Sequence, residues 1–492
     1  MKPSKTEFKK LAENANLIPV YAELLADMST PLSAFANVRD KRDSFLFESA
    51  ESIENFGRYS FIGFEPKAVF TINGTCGEFS FADGKREVSE NSESPFAPLK
   101  NFLSKVKPAQ IEGLPGFFGG AVGFLSYESA GLFEKLPPAK NESGWENARF
   151  GIFDKLMIFD NVRHTVKILC CVHTAEFENL DDAYEAGASE VKKMIDTYKA
   201  PLNFPQSNSV HTPISLKSNM TKEEFVGMTE RAKQYIKDGE AIQIVLSQKF
   251  TSSSDVDPLA AYRALRFINP SPYMFCLKCG EKHLVGASPE TLVRTNGGKV
   301  QASPIAGTRP RGKNQNDDIK LADELLSDEK ERAEHLMLVD LGRNDLSRFC
   351  ESGSVQIESF MEVQRYSHVM HLVSHIAGEM KSGRDSFDAI AACFPAGTLS
   401  GAPKVRAMEI INELEPETRG AYGGAVGYIS YGGAMDLAIT IRTLQIQGGK
   451  LCVQAGAGIV YDSDPEAEYR ETKSKAEALA RAIAASSNLE EI

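Results

Sequence analysis

Phe118-Gly-Gly-Ala-Val-Gly-Phe-Leu-Ser-Tyr127 is nearly repeated as Tyr422-Gly-Gly-Ala-Val-Gly-Tyr-Ile-Ser-Tyr431. A gap of about 300 residues excludes a solenoid, whose repeat runs to about 20–50 residues. Glycines inside a strand-like run mark places where another backbone comes close. The two decapeptides therefore predict two equivalent sheet positions, left by an ancient duplication or built into a pseudo-symmetric core.

Around the first copy the chain reads as short strands between turn signals: Ser44 to Glu48, Tyr59 to Gly63, Lys67 to Ile72, and Lys155 to Val172 broken at Asp160 and Asn161. Helical periodicity returns at Leu180 to Tyr198. This pattern predicts an antiparallel α+β fold. Ala200 to Asn219, with three prolines among Ser and Asn, is the expected linker, dividing the chain into residues 1–205 and 206–492. Beyond it, Thr221 to Lys237 and Pro258 to Phe267 read as helices and Ala241 to Phe250 as a strand. Ser303 to Gly312 reads as a loop, and Asn316 to Leu341 as one long helical pattern.

The 492 residues carry a net charge of −12, with 42% hydrophobic and 25% charged residues. Such a balance excludes a disordered chain and argues against a phosphate-tracking or anionic-membrane binder. No apolar run reaches the roughly 18 residues of a membrane helix, and the opening MKPSKTEFKK resembles neither a secretory nor a transit signal. The expected location is the cytoplasm, where the eight cysteines would stay reduced. Cys276 and Cys279 form a CxxC with no second pair at zinc-ribbon spacing, a weak metal signal.

Nucleotide signatures fail. Gly397 to Lys404 is one residue short of a P-loop and has Pro403 where the second glycine belongs, and Gly456-Ala-Gly-Ile lacks the third glycine of a dinucleotide fingerprint. Two acidic helix starts are more informative. Asp328 is placed to cap a helix with Glu331 completing the box, leaving Glu331 and Glu334 on one face; Asp464 and Pro465 open a second helix with Glu468 and Glu471 in the same i, i+3 relation. Four such carboxylates either form solvated helix faces or converge on a hard cation such as Mg²⁺. Between Gly286 and Gly312 stand Arg294, Lys299, Arg309 and Arg311 against Glu290 alone; with Lys404 and Arg442 they are candidate partners for an anionic small molecule.

Five ordered motifs then carry a resemblance: Pro304-Ile-Ala-Gly-Thr-Arg-Pro-Arg-Gly312, Ala333 to Asp345, Arg365 to His371, Phe394 to Lys404 and Gln454-Ala-Gly-Ala-Gly458. Together they resemble the motif series of the chorismate-utilising enzymes, and within them the anthranilate synthase component I family. The resemblance implies a two-lobed fold with a central antiparallel β-sandwich flanked by helices, the N-terminal lobe being regulatory. It implies conversion of chorismate and ammonia to anthranilate and pyruvate, the first step of tryptophan biosynthesis. By this resemblance Mg²⁺ is bound directly by Glu334 and Glu471 and through water by Glu331 and Glu468. Tyr422 and Arg442 match positions holding the enolpyruvyl carboxylate, with Ala457, Gly458, Lys475 and Gly307 lining the substrate site. Glu290 matches the general acid, His371 a histidine beside the reacting ring, and Thr398 and Gln243 further residues of the reaction centre.

Close relatives differ at two positions. Ala306 stands where aminodeoxychorismate synthases carry a nucleophilic lysine, and Gln243 where isochorismate synthases carry a lysine that activates water, so ammonia is the expected nucleophile. No cysteine sits in a Gly-x-Cys-x-Gly elbow, and the resemblance implies a separate glutamine amidotransferase subunit as ammonia source. It also implies feedback inhibition by tryptophan at Glu48, Ser49, Pro272, Tyr273 and Met274, with Phe47 replacing the family's leucine. An aminodeoxychorismate synthase, or a sensing protein without catalysis, are the alternative readings.

Overall fold

The computed structural model describes residues 1–49, 57–89, 94–202, 215–253, 256–366 and 369–485. Most of the expected linker, residues 203–214, lies outside them. Among the described residues, two twelve-stranded sheets carry the fold, and every strand ladder between named strands is antiparallel. The expected α+β class holds. Apolar side chains from both sheets, Phe45, Leu156, Phe275 and Leu277 from one and Phe70, Phe124, Phe150 and Val426 from the other, meet in one buried layer.

The repeated decapeptides lie side by side. Strand Gly120–Leu125 pairs with Ala425–Ser430, and the register places Gly123 opposite Gly427, the sixth residue of each copy. Neighbouring backbone runs so close that a Cβ on Gly123 would come within 1.8 Å of the Arg149 carbonyl oxygen. This pair is the midline of the second sheet. In the first sheet the midline falls between Ser44–Glu48 and Tyr273–Cys279.

Strand order is mirrored about the midline of the first sheet and, for four strands on either side, about that of the second. Outward from the first run Ser44–Glu48, Tyr59–Phe64, Lys155–Asp160, Thr165–His173 and Leu17–Leu25 on one side, and Tyr273–Cys279, Lys282–Ser288, Thr443–Gln447, Lys450–Ile459 and Gln243–Ser253 on the other. With the two-residue strands Lys217–Ser218 and Gly401–Ala402 set aside, which pair with Gln243–Ser253, each side uses its second, third, penultimate, last and first strand in that sequence. Helices Leu180–Lys199, Pro258–Ile268 and Pro465–Ala485 cover the outer face of this sheet, closing a second apolar layer around Val166, Tyr262, Met274 and Leu479. Each sheet thus draws strands from both sides of residue 205.

Two expectations change. Ser303–Gly312 contains a strand, Ile305–Pro310, paired with Val369–Glu379; its register slips between Ala306 and Arg309, where Gly307 turns at φ +65°. Glycine and proline dominate the local signal, while the pairing partner lies far along the chain. The long helical pattern is two helices, Gln315–Ser327 and Glu329–Ser347, parted at Asp328. The Asp328 side chain accepts from the Lys330 and Glu331 N–H groups at 3.1 Å, capping the second helix as expected, whereas Glu331 reaches toward Arg309 at 3.5 Å.

Candidate functional site

Two chain segments cross from one sheet to the other beside each other. Ser288 ends a strand of the first sheet and Thr291 begins one of the second, while Ile439 ends a strand of the second and Thr443 begins one of the first. The corners are stitched together: the Ile439 N–H donates to the Glu290 carbonyl at 3.0 Å, and the Ala287 N–H to the Arg442 carbonyl at 3.2 Å. Arg442 turns with φ +49°, a conformation that costs a non-glycine residue energy and is held here by the crossing strands. Glu290 and Arg442 thus share one wall of the sandwich.

Glu290 is 7% exposed, and Thr398 donates its hydroxyl to Oε1 at 3.0 Å. Burial pushes the carboxyl up to about 8, against the opposing pull of Thr398 and the Arg442 charge. It is protonated at neutral pH. His371, on Val369–Glu379, is buried and held neutral, its value lowered to about 4 by burial and by Arg442 against the hydrogen bond to Gly307. Nδ1 donates to the Gly307 carbonyl at 2.8 Å, which leaves Nε2 unprotonated and, among the described residues, without a partner. One acid with its proton and one base without stand in reach of the same arginine.

Gln243 reaches the first of the acidic helices. Its Nε2 donates to Glu334 Oε1 at 3.3 Å, and a Cβ on Gly458 would lie 2.6 Å from that nitrogen, so any side chain there would move the Gln243 amide. Ala457 is buried beside it, opposite Leu246 in the ladder. Tyr422 is buried, its hydroxyl so near Gly456 that a Cβ there would sit at 2.7 Å. Lys475 donates to the Gly456 carbonyl at 3.1 Å and pairs with Glu471 at 2.7 Å. Gly307 packs against Glu331, whose Oε2 would be 3.1 Å from an added Cβ.

The two acidic helix starts face each other electrostatically. Glu334 is raised above the ordinary carboxylate range by burial, then by Glu331, with Glu471 adding to it; Glu468 is raised by burial and by Glu471. Among the described residues, no three His, Cys, Asp or Glu side chains are gathered tightly enough to chelate a metal. The helices are brought together, their carboxylates not yet into a coordination shell. Partly buried Glu334 and Glu468 and exposed Glu471, carboxylates that raise one another, fit a hard divalent cation.

Other expectations are corrected. The basic tract is consumed by ion pairs: Arg294 with Asp436 at 2.6 Å, Lys299 with Glu358, Arg309 with Asp328 at 2.8 Å, Arg311 with Asp318 at 2.9 Å and Lys404 with Asp345 at 2.7 Å. Cys276 and Cys279 point to opposite faces of one strand, each thiol pushed up to about 12 by burial, so they make no metal or redox pair. In the expected inhibitor pocket, Glu48 is buried opposite Met274, accepts from the Tyr262 hydroxyl at 2.6 Å and lies 3.4 Å from Arg266. Ser49 follows it at the strand end. Tyr273 faces away from Met274, toward the second sheet, where its hydroxyl meets Thr291 at 2.7 Å and Asp436 at 3.0 Å; Pro272 lines a small cavity on that side. Strand alternation separates the two.

Sequence reasoning missed Arg419, 2% exposed, whose guanidinium donates to Glu415, to the Val245 carbonyl at 2.7 Å and to the Leu399 carbonyl at 2.6 Å while lying 4.4 Å from the Tyr127 ring centroid. It ties the strand of Gln243 to the turn of Thr398. An arginine four residues after a glutamate at the end of a helix was the available signal.

A family model described as chorismate binding enzyme matches residues 44–481. The chain belongs to the chorismate-binding enzyme family. It is 44% identical over 489 residues to anthranilate synthase component 1 of Acetivibrio thermocellus, covering 98% of each chain, and 44% identical over 486 residues to that of Aquifex aeolicus, covering 97% of each. The crystal structure of anthranilate synthase component I from Streptococcus pneumoniae superposes with a TM-score of 0.77 at 37% identity, over 88% of this chain and 93% of that one. A menaquinone-specific isochorismate synthase from Escherichia coli shares the fold at 20% identity and a TM-score of 0.72, over 97% of this chain and 99% of that one. In this chorismate-binding enzyme the corners carrying Glu290 and Arg442 and the strand carrying His371 all fall within the matched region.

Proposed function

We propose that this chain is the aminating subunit of an anthranilate synthase, which converts chorismate and ammonia to anthranilate and pyruvate. The observation carrying this reading is the pairing of a protonated Glu290 with an unprotonated His371 Nε2 beside Arg442. Chorismate loses its C4 hydroxyl as ammonia adds at C2, and hydroxide is a poor leaving group unless it gains a proton. Glu290 supplies that proton. The Thr398 hydrogen bond fixes one carboxyl oxygen and leaves the other to carry it. His371 Nε2 then accepts the C2 proton as the bond from C3 to the enolpyruvyl oxygen breaks and the ring aromatises, and the same proton is returned to the methylene carbon of the departing enolpyruvate, giving pyruvate. Arg442 and the Tyr422 hydroxyl hold the enolpyruvyl carboxylate, with Lys475, Ala457, Gly458 and Gly307 around the remainder of the substrate.

Glu334 and Glu471, with Glu331 and Glu468 through water, would hold Mg²⁺, which supplies Lewis-acid charge at the ring carboxylate when bound. Ala306 and Gln243 offer no amine for a covalent or water-activating route, which favours ammonia as the nucleophile; its proposed source is a glutamine amidotransferase partner subunit, and the proposed location the cytoplasm. Glu48 and Met274, beneath the helix carrying Tyr262 and Arg266, are the proposed seat of tryptophan inhibition, with Ser49 at its edge and Pro272 and Tyr273 outside it.

The test incubates the purified chain with chorismate, Mg²⁺ and an ammonium salt. Anthranilate and pyruvate in equal amounts are expected. An aminodeoxychorismate product without pyruvate, or no turnover, overturns the reading.

A further inference from the structure

Helix Glu329–Ser347 presents Glu334, Leu338, Leu341 and Asp345 at i, i+4, i+7 and i+11, along one face. Leu338, Leu341, Gly342 and Asp345 line a cavity of about 50 Å³ whose opposite wall includes Glu290 and Thr398. At the far end of the helix from Glu331 and Glu334, Asp345 accepts from Lys404 Nζ at 2.7 Å, and the same ammonium donates to the Cys393 carbonyl at 3.1 Å. Both side chains are buried.

Lys404 therefore closes residues 393–404 into a loop and fastens it to the helix. Thr398 stands at the middle of that loop. The Ser400 hydroxyl donates to the Ala396 carbonyl at 2.9 Å, and the Val245 N–H donates to the Ser400 carbonyl at 2.9 Å. Gly397 packs on Leu341 so closely that a Cβ would fall 2.0 Å from Leu341 Cδ2. A buried ammonium and carboxylate are costly to desolvate, and hydrophobic residues would close the same contact without that cost.

We propose that Lys404 and Asp345 are positioning residues for the reaction: they hold the 393–404 loop on the acidic helix and thereby set where the Thr398 hydroxyl meets Glu290. This rests on the reading of Glu290 as the acid. Releasing the loop removes a hydrogen bond that favours the ionised carboxyl, leaving Glu290 to the effects of burial and of Arg442, the charged group facing it.

The test compares Lys404→Met, Asp345→Asn and Thr398→Val in ammonia-dependent turnover across pH. Each is expected to lower kcat about tenfold or more, with KM for chorismate changed less than about threefold, and to move the alkaline limb of kcat upward. The double variant Lys404→Met/Thr398→Val is expected to go no further than Thr398→Val alone, because both act through one hydrogen bond. If Lys404→Met does not fold, Asp345→Asn, which keeps an acceptor in place, carries the same comparison. A lower melting temperature with an unmoved pH profile, or losses that add in the double variant, overturns the proposal. Full activity in Glu290→Gln would instead overturn the acid assignment beneath it.

Discussion

Replacing Glu290 by Gln tests the site through stability as well as rate. In the folded chain the carboxyl is raised from an ordinary 4.5 to about 8, first by burial. Below the lower value both folded and unfolded chains keep the proton, and the group leaves stability unaffected by pH. Between the two values only the unfolded chain releases it, so stability falls by about 1.4 kcal/mol per pH unit and levels off once the folded carboxyl also ionises. The full span amounts to about 5 kcal/mol, of which about 2–3 kcal/mol falls between about pH 6 and pH 9. Glutamine keeps the shape and does not titrate. Thermal melts of the parent and Glu290→Gln, followed from about pH 5 to pH 9, are expected to diverge, with the variant gaining on the parent as pH rises. Turnover of the variant should drop by about 10²–10⁴-fold, the usual contribution of a placed proton donor. Melting curves that shift in parallel with pH would refute the burial argument, and a variant with parent-like turnover would refute the role.

Glu471→Gln should require far more Mg²⁺ for half-maximal turnover, or lose turnover, while its circular dichroism matches the parent; an unchanged Mg²⁺ titration removes this residue from the proposed metal site. Gly123→Ala must push a Cβ into the Arg149 carbonyl, and a loss of about 1–3 kcal/mol or more in chemical denaturation is expected. Glu48→Gln should weaken inhibition by tryptophan about tenfold or more without raising KM for chorismate, as expected for a buried charge-assisted contact; undiminished inhibition places the pocket elsewhere. Gly458→Ala should displace Gln243 and cost kcat, read against an unchanged melting temperature.

The glycine repeat was legible because close approach restricts residue choice at the point of contact itself. Gly123 and Gly427 announce a backbone neighbour before that neighbour is known. Acidic residues at i, i+3 after a capping Asp were legible for the same reason, since the helix alone dictates the shared face. What the sequence concealed depends on partners distant along the chain. Arg294 looks like free positive charge until Asp436 lies against it, and Lys404 until Asp345 does. The strand Ile305–Pro310 hides behind turn residues because its ladder to Val369–Glu379 is non-local. Tyr273 and Met274 share a motif, yet the period of a strand sends them to opposite faces, a division that a motif match ignores.

The mirrored strand order has a consequence for how the molecule is made. Each sheet is joined at its middle by one strand from each half of the chain. When only the first half has left the ribosome, Ser44–Glu48 and Gly120–Leu125 are open, largely apolar edges, ready to pair with any strand that arrives. Their proper partners, Tyr273–Cys279 and Ala425–Ser430, arrive much later in synthesis. The halves behave as two complementary pieces awaiting each other, so a chain severed between them should reassemble when both are expressed together, and each alone should aggregate.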